Sequence, residues 1–394
     1  MAFVPTRAAA LARLAAFVPD AGRKYSDGRN VDPGPGARSN VSLLSPYIRH
    51  RLLTEREVVR AVLDAHSPQT CEKFVQEVLW RTYWKGWLEL RPAIWLRFVE
   101  DRDALVPSGG MAKAIAAAEA GATGIDGFDD WARELVEHGY LHNHARMWFA
   151  SIWIFTLGLP WVAGADFFLR HLIDADPASN TLSWRWVAGL QTAGKTYLAT
   201  ADNIARNTDG RFAPKGLATR AVALSEPPIP GVRPLAIFPR HDATTPSVLL
   251  LTGEDLAPES LLESHSAIRS IIAVDAVAGW PWGNAATAFV SGALDDAAAR
   301  AASHFNCQAH RAARLDPQAV IDEARRTGAR AIVTAYAPVG PVADALTAVA
   351  PDFADAGFPL VRILRDWDAC FWPHAAKGFF PFKERIPELL DTCL

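Results

Sequence analysis

The segment Leu172-Ile-Asp-Ala-Asp-Pro-Ala-Ser-Asn-Thr-Leu-Ser-Trp-Arg-Trp186 decides how the first half of this chain is read. Two carboxylates, one carboxamide and two tryptophans fall between residues 174 and 186. Ordinary helix chemistry accounts for part of it: Asp176 before Pro177 makes a good N-cap with Pro at the first helical position. It does not account for Asp174, Asn180, Trp184 or Trp186. Upstream lies Tyr140-Leu-His-Asn-His-Ala-Arg-Met147, in which Asn143 and Arg146, three apart, share a face if the segment is helical. No charged residue occurs from Met147 to Ala165. That run is close to the length that spans a bilayer. Gly158, Pro160 and flanks rich in His and charge make it a buried core helix instead, and no membrane partner is expected.

Outward from this segment, composition sets the class. The chain has 394 residues, 50% hydrophobic and 21% charged, which excludes a disordered polymer and leaves material for two domains. Fourteen tryptophans are many for this length. The four cysteines (Cys71, Cys307, Cys370, Cys393) form no C-x-x-C pair, so a disulfide framework, a zinc ribbon and a cysteine-held cluster are not expected. Reduced thiols and a cytoplasmic location fit best, and no metal site is expected. The N-terminal stretch is broken by Arg13 and reads as an amphipathic helix through Leu11, Leu14 and Phe17, not a signal peptide.

Residues 1–220 read as helical, with periodic apolar stretches at 55–65, 71–90, 128–137, 145–158 and 163–173. Residues 221–246 hold six prolines, Pro239 among them, and read as a linker. From 247 to 394, short apolar runs at 248–251, 271–274, 331–334 and 360–364 alternate with helical stretches at 286–304, 317–327 and 341–349, the pattern of βαβ units and a parallel sheet. The expected architecture is an all-helical N-terminal domain followed by a Rossmann-like parallel α/β domain. Residues 1–220 carry 26 basic and 23 acidic side chains and residues 221–394 carry 14 and 20, for a net charge of −3. A basic excess on the helical half permits a polyanion-binding face but is too small to establish one.

The quoted segments resemble the flavin-binding core of the photolyase/cryptochrome family, whose pattern runs H-N-R-x-R-M, an uncharged helix, then L-x-D-x-D-x-A-x-N-x-x-x-W-x-W. Ser42-Leu-Leu-Ser-Pro-Tyr47 resembles the family's phosphate-and-ribose loop, and Phe74-Val-Gln-Glu-Val-Leu-Trp-Arg81 its F-x-x-E-L-x-W-R helix. Tyr25, Arg29 and Asn30 match a Y-x-x-x-R-N stretch, and Gly124, Asp129 and Leu135 a further spaced motif. The α/β domain, which comes first in the family, follows the helical domain here. The stretch Trp367-Asp-Ala-Cys-Phe-Trp-Pro-His374 resembles what normally leads out of it, and Ala10-Leu-Ala-Arg-Leu-Ala-Ala-Phe17 what normally follows. The domain order therefore reads as circularly permuted, with fusion of an unrelated α/β domain as the alternative.

The resemblance implies FAD bound between helices. Tyr25, Ser42, Leu44, Ser45, Arg81, Asn143, Arg146, Asp174, Asp176 and Asn180 would hold it. Arg146 and Asp174 would pair beside the flavin, Asp176 would accept from a ring NH, and Asn180 would face N5. Trp184 and Trp161 would be the inner and middle members of an electron-transfer chain, whose outer member falls on Ala118. Trp131, Trp148 and Trp153 are candidates to replace it, although core packing accounts for each. DNA carrying pyrimidine dimers would meet Arg29, Glu77, Trp80, Asn143, Met147 and Trp186, with Glu77 catalytic; Glu77 also stands at helical spacing from Arg81, a common structural pairing.

Several positions depart from the pattern. Val41 replaces a Thr, His144 an Arg and Tyr140 a Trp, and only Gly253-Glu-Asp-Leu256 stands near the place of the family's R-x-D-L-R. The last departure makes a second, light-harvesting chromophore doubtful. The expected activity is blue-light-driven electron transfer from reduced FAD to pyrimidine dimers in DNA, a photolyase-like lyase acting as a monomer. The alternative is a cryptochrome-type photoreceptor without repair, with a signalling partner unknown.

Overall fold

The computed structural model describes residues 3–237 and 241–394, so Pro239 lies outside the described residues. The first half is helical: α1 (Arg7–Phe17), α2 (Arg23–Gly28), α3 (Ser45–Arg49), α4 (Glu55–Ala65), α5 (Pro68–Glu89), α6 (Ala93–Ala104), α7 (Gly109–Glu119), α8 (Phe128–His138), α9 (Asn143–Ser151), α10 (Trp161–His171), α11 (Pro177–Val187) and α12 (Ala201–Asn207). The second half contains β1 (Ser247–Leu251), β2 (Ile268–Val274), α13 (Asn284–Phe305), β3 (Gln308–Ala312), α14 (Pro317–Thr327), β4 (Ala331–Ala335), α15 (Pro341–Asp355), β5 (Leu360–Ile363), α16 (Asp366–Phe371) and α17 (Phe379–Cys393).

The strands are all parallel, in the order β3-β2-β1-β4-β5. The chain steps outward from β1 through β2 to β3, then α14 returns it to β4 on the other side of β1, so the winding reverses there. β1 is buried along its whole length. Its side chains alternate by the period of a strand: Leu249 and Leu251 join a core continuous with the helical half, while Val248 and Leu250 join a second cluster with Val320, Ile321 and Leu346 of α14 and α15. The α + α/β architecture is thus the one the sequence pattern predicts.

Local differences have physical causes. β3 escapes the periodicity because Gln308-Ala-His-Arg-Ala312 is a polar edge strand with no apolar run. α1 buries Leu14 and Phe17 as expected, but Ala10 completes the stripe in place of Leu11, which is exposed. The uncharged run is not one helix. α9 ends at Ser151, a π-helical turn spans Ile152–Thr156, Gly158 takes φ +63°, and α10 begins behind Pro160. Among the described residues no helix is long and apolar enough to cross a membrane. The proline-rich stretch docks on the helices: Leu224 N donates to Ala188 O (3.0 Å), Arg233 N to Leu90 O (3.0 Å), and Glu226 pairs with Arg185. Contrary to the expectation of reduced thiols throughout, Cys370 and Cys393 form a disulfide between α16 and α17; Cys71 and Cys307 are free. Nothing in the spacing of those two cysteines marks them, because the packing of their helices is what brings them together.

The helical and α/β halves are joined by buried charge. Arg49 at the end of α3 makes a two-pronged pair with Glu254 (2.7 and 2.6 Å) and donates from Nε to Ala175 O (2.8 Å). Arg51 pairs with Asp368 (2.7 Å) and lies 3.4 Å from Asp255 and 3.3 Å from Glu55. Glu89 accepts from the Tyr336 hydroxyl (2.7 Å) and Val339 N (2.6 Å). Removing one partner of such a pair leaves the other charge desolvated and unopposed. Glu254→Gln, which removes the anion facing Arg49, is therefore expected to cost about 3–5 kcal/mol, read as a lowered urea midpoint at neutral pH.

Candidate functional site

The connection between α10 and α11 carries Asp174 and Asp176, both almost fully buried. Arg146, from the second turn of α9, grips Asp174 with two parallel hydrogen bonds (3.0 and 2.9 Å), the bidentate geometry in which guanidinium and carboxylate match best. Burial pushes the Asp174 carboxyl up, but Arg146 outweighs this, with help from Arg81 and the Ser45 side chain, and holds it below the usual carboxylate range. Nε of Arg146 donates to Leu141 O (2.9 Å), which fixes the guanidinium plane. Asp176 caps α11, accepting from Ser179 N (2.8 Å). Its second oxygen receives Arg81 of α5, and it too is held below its ordinary pKa, with burial opposed by Arg81, Lys85 and Arg49. The helix-cap reading and the polar-site reading of Asp176 are therefore met by different oxygens of one side chain.

Asn180, one turn into α11, donates to Ala165 O on α10 (2.8 Å). Trp184, one further turn along, is buried with its indole edge against Gly164: a Cβ at that glycine would stand 2.3 Å from the Trp184 ring. The rings touching Trp184 are Trp153 (6.3 Å, 88°), Phe168 (5.1 Å) and Phe149 (6.4 Å). Trp161 begins α10 one turn before Gly164 and has Phe98 of α6 as its ring neighbour (5.8 Å). Just before α3, Ser42 accepts from Leu44 N (3.3 Å) in a turn whose Leu43 takes φ +54°.

Several buried polar atoms here have no protein partner among the described residues: Ser179 Oγ, Thr181 Oγ1 and Trp184 Nε1 on α11, and Lys85 Nζ on α5. A buried group left unsatisfied costs roughly 1–3 kcal/mol, so unspent donors and acceptors at the junction of α5 and α11 fit a polar ligand. Lys85 is one turn beyond Arg81. Burial and the neighbouring Arg51 pull its ammonium below the ordinary lysine range, and Glu55 and Asp176 oppose them. That i,i+4 spacing was a legible signal for Lys85 as a site residue.

The outer residues come from α2, the middle of α5, α9 and the end of α11. Glu77 is solvent-accessible, yet protein atoms crowd it, and this desolvation raises its carboxyl pKa against the pull of Arg29 and Lys73. Tyr25 is buried edge-on to Phe74 (5.2 Å), and burial and the nearby Glu77 raise its phenol pKa. Arg29 donates to Ser26 O, which holds it beside α2. Asn143 is exposed and reaches Met147 Sδ (3.9 Å), so both sit on the outer face of α9. Trp186 is 37% exposed and stacks on Tyr197 (5.6 Å, 26°). Trp80 is only partly open: one face lies flat on Phe379 of α17 (3.5 Å, 11°), a contact 299 positions away in the chain that no sequence signal announces.

Residues 74–215 match the family model described as the FAD binding domain of DNA photolyase. A deoxyribodipyrimidine photo-lyase of Agrobacterium fabrum is 32% identical over 190 residues, 48% of this chain and 39% of that protein. One from Thermus thermophilus is 31% identical over 193 residues, 49% of this chain and 45% of that protein. Among solved structures, a class III photolyase of Agrobacterium tumefaciens is 29% identical and covers 52% of this chain and 43% of its own, with a TM-score of 0.44. A Synechocystis cryptochrome is 24% identical and covers 53% and 44%, with a TM-score of 0.45. The chain spans less than half the length of each of these relatives. Its helical half carries a photolyase-type FAD-binding domain.

His142 caps α9 through Nδ1, which accepts from His144 N (3.2 Å), and so requires that nitrogen unprotonated. Burial pushes its pKa down to about 4. As pH falls below the ordinary value near 6.5, the unfolded chain takes up a proton that the folded one refuses, so stability falls with pH down to about 4. The expected loss from this residue between pH 7 and pH 5 is on the order of 2 kcal/mol. In His142→Asn, which keeps a capping acceptor but cannot titrate, the difference between urea midpoints at the two pH values should shrink by that amount.

Proposed function

We propose that this chain is a photolyase-like flavoprotein that uses blue light to move an electron to pyrimidine dimers in DNA. The observation that carries this reading is Glu77. It is an accessible carboxyl whose pKa is raised by the protein atoms crowding it, one turn ahead of Trp80 and Arg81 on α5. Arg81 reaches inward to Asp176, while Glu77, one turn earlier on the same helix, is exposed, so α5 would address the cofactor and a base lesion together. A neutral carboxyl can donate a hydrogen bond to a carbonyl that gains an electron, and aromatic walls suit flipped-out bases. Bound FAD supplies light absorption and the single electron. The chain's own residues bind and orient: Arg146 and Asp174 as a fixed ion pair beside the ring, Asp176 as an acceptor, Asn180 as an amide at the ring edge, and the loop through Ser42, Leu44 and Ser45 toward the phosphates.

We read residues 1–220 as the FAD-binding domain, 221–246 as a linker, and 247–394 as the α/β domain that precedes it in relatives, a permutation at the domain level. In support, α1 and the end of α17 both reach one turn of α4. Arg7 pairs with Glu57, and the Leu394 carbonyl oxygen accepts from Arg56 (2.6 Å). Such proximity lets the connection order change while the contacts persist.

A second reading, a photoreceptor without repair, is favoured by the packing of Trp80, whose ring has Phe379 flat against one face and Trp84 at 5.3 Å. Purified protein carrying FAD, illuminated with dimer-containing oligonucleotides, distinguishes the two. Under the repair reading dimers disappear in light, Glu77→Gln keeps its flavin but loses about tenfold or more in rate, and Asp174→Asn loses the flavin itself. No light-dependent loss of dimers in the wild-type protein would leave the photoreceptor.

A further inference from the structure

Building on the flavin reading above, we propose that Trp95, hydrogen-bonded to Asp344 across the domain boundary, is the terminal electron donor of the light-driven chain and releases its indole proton to that carboxylate. The indoles around Trp184 offer two ways outward. Trp153 is the first, and it leads nowhere. Its ring neighbours besides Trp184 are Phe149 and Phe167, whose own ring contacts are Phe128, Phe168 and His171, and among the described residues no second indole follows. Trp161, one turn from the glycine on which Trp184 rests, is the second. Its ring faces Phe98 (5.8 Å), Phe98 faces Trp95 (5.4 Å), and Trp95 stacks on Trp280 (6.3 Å, 22°), a residue of the loop after β2. Phe98 is not oxidised; it fills the gap between two indoles that are.

The charges along this path determine where the oxidation rests. Trp95 is 1% exposed, and its Nε1 donates to Asp344 Oδ2 at 3.0 Å. An anion accepting from the indole N–H stabilises the ring once it has lost an electron. Trp280 has the opposite environment: the Arg102 guanidinium lies 4.4 Å from its ring centre, and its Nε1 is buried with no partner among the described residues. A cation over an indole face favours the neutral ring and resists a second positive charge there. Oxidation therefore stops at Trp95. Asp344 is exposed at the first turn of α15, so its carboxyl has direct contact with water.

Trp184 gives one electron to the light-excited flavin, Trp161 refills Trp184, and Trp95 refills Trp161. Trp95 is left a radical cation, and its Nε1 proton moves to Asp344, giving a neutral indole radical and a neutral carboxyl. A thiolate in solution then returns an electron to Trp95 and becomes a thiyl radical, while Asp344 gives the proton back to the indole Nε1. The original hydrogen bond is restored, and one electron has passed from thiolate to flavin.

The test uses the full chain with bound FAD, blue light and a small thiol. Trp95→Phe should keep FAD at wild-type stoichiometry, slow flavin photoreduction about tenfold, and remove the tryptophan radical seen by electron paramagnetic resonance. Asp344→Asn keeps an acceptor oxygen but no base. Its radical should persist only as the protonated cation and lose the lifetime difference between H2O and D2O that the wild type shows. That variant decides the matter should Trp95→Phe fold poorly. Wild-type photoreduction and an unchanged radical in Trp95→Phe, or an unchanged isotope effect in Asp344→Asn, would overturn the assignment while leaving the flavin reading intact. A wild-type protein that takes up no FAD would overturn both.

Discussion

Three guanidinium groups from three elements converge on one short loop, and the rest of the site is arranged around that convergence. Arg146 of α9 holds Asp174, Arg81 of α5 holds Asp176 and touches Asp174 O (3.3 Å), and Arg49 of α3 holds Ala175 O. The loop carries two buried negative charges that isolation from water would penalise heavily. The arginines remove that penalty, and in doing so they fix the spacing of α3, α5 and α9 about the start of α11. Asn180 and Trp184 follow from it, because both lie on the helix that Asp176 caps. A change at any of the three arginines would therefore disturb the placement of side chains it never touches.

Arg49 also carries the constraint outward. The guanidinium that braces Ala175 O is the one that pairs with Glu254, at the carboxyl end of β1. The α/β half is thereby tied to the same loop, and Arg51, with Asp368 and Asp255, repeats the arrangement beside it. These contacts join surfaces and not sequence neighbours. Which half comes first in the chain makes no difference to them, so a reordered chain keeps its interface provided its ends lie close and exposed. The strap through residues 221–237 has a matching role. Its Glu226 binds Arg185, the residue between Trp184 and Trp186, and so secures the end of α11.

The sequence was legible wherever chemistry and periodicity coincide. The Asp174–Asp176 segment, its partner Arg146 and the strands of the sheet interior are all marked by residue type at fixed spacing. The expected helix at 317–327 is α14 itself, because Asp316 and Pro317 start it and Gly328 takes the left-handed conformation that ends it. Legibility failed where long-range packing decides. β3 is polar because it lies at an edge, and the disulfide joins helices whose contact only the fold creates. The Trp80–Phe379 stack and the Trp95–Asp344 hydrogen bond unite residues hundreds of positions apart. Trp153 was visible as an indole, but its contact with Trp184 depends on the π-helical turn, which no propensity announces.

With fourteen tryptophans in the chain, an indole in the core says little by itself. What separates them is the environment of Nε1 and what lies beyond the ring. Trp148 donates to Asn203 (2.9 Å) and Trp153 to Pro160 O (2.9 Å), neutral acceptors that satisfy a buried N–H and do no more. Trp95 donates to a carboxylate that itself meets solvent. The difference is one of charge: a neutral acceptor stabilises the intact indole, whereas an anion stabilises the oxidised one more strongly and can take its proton. The same criterion separates Trp80 from the others. Its ring is committed to Phe379 by stacking, worth about 0.5–1.5 kcal/mol beyond burial, so a base that sought that face would first have to displace a phenyl ring held by α17. Trp84, one turn further along α5, lies 5.3 Å from the same ring at 37°, so the indole is packed from its own helix as well as from α17.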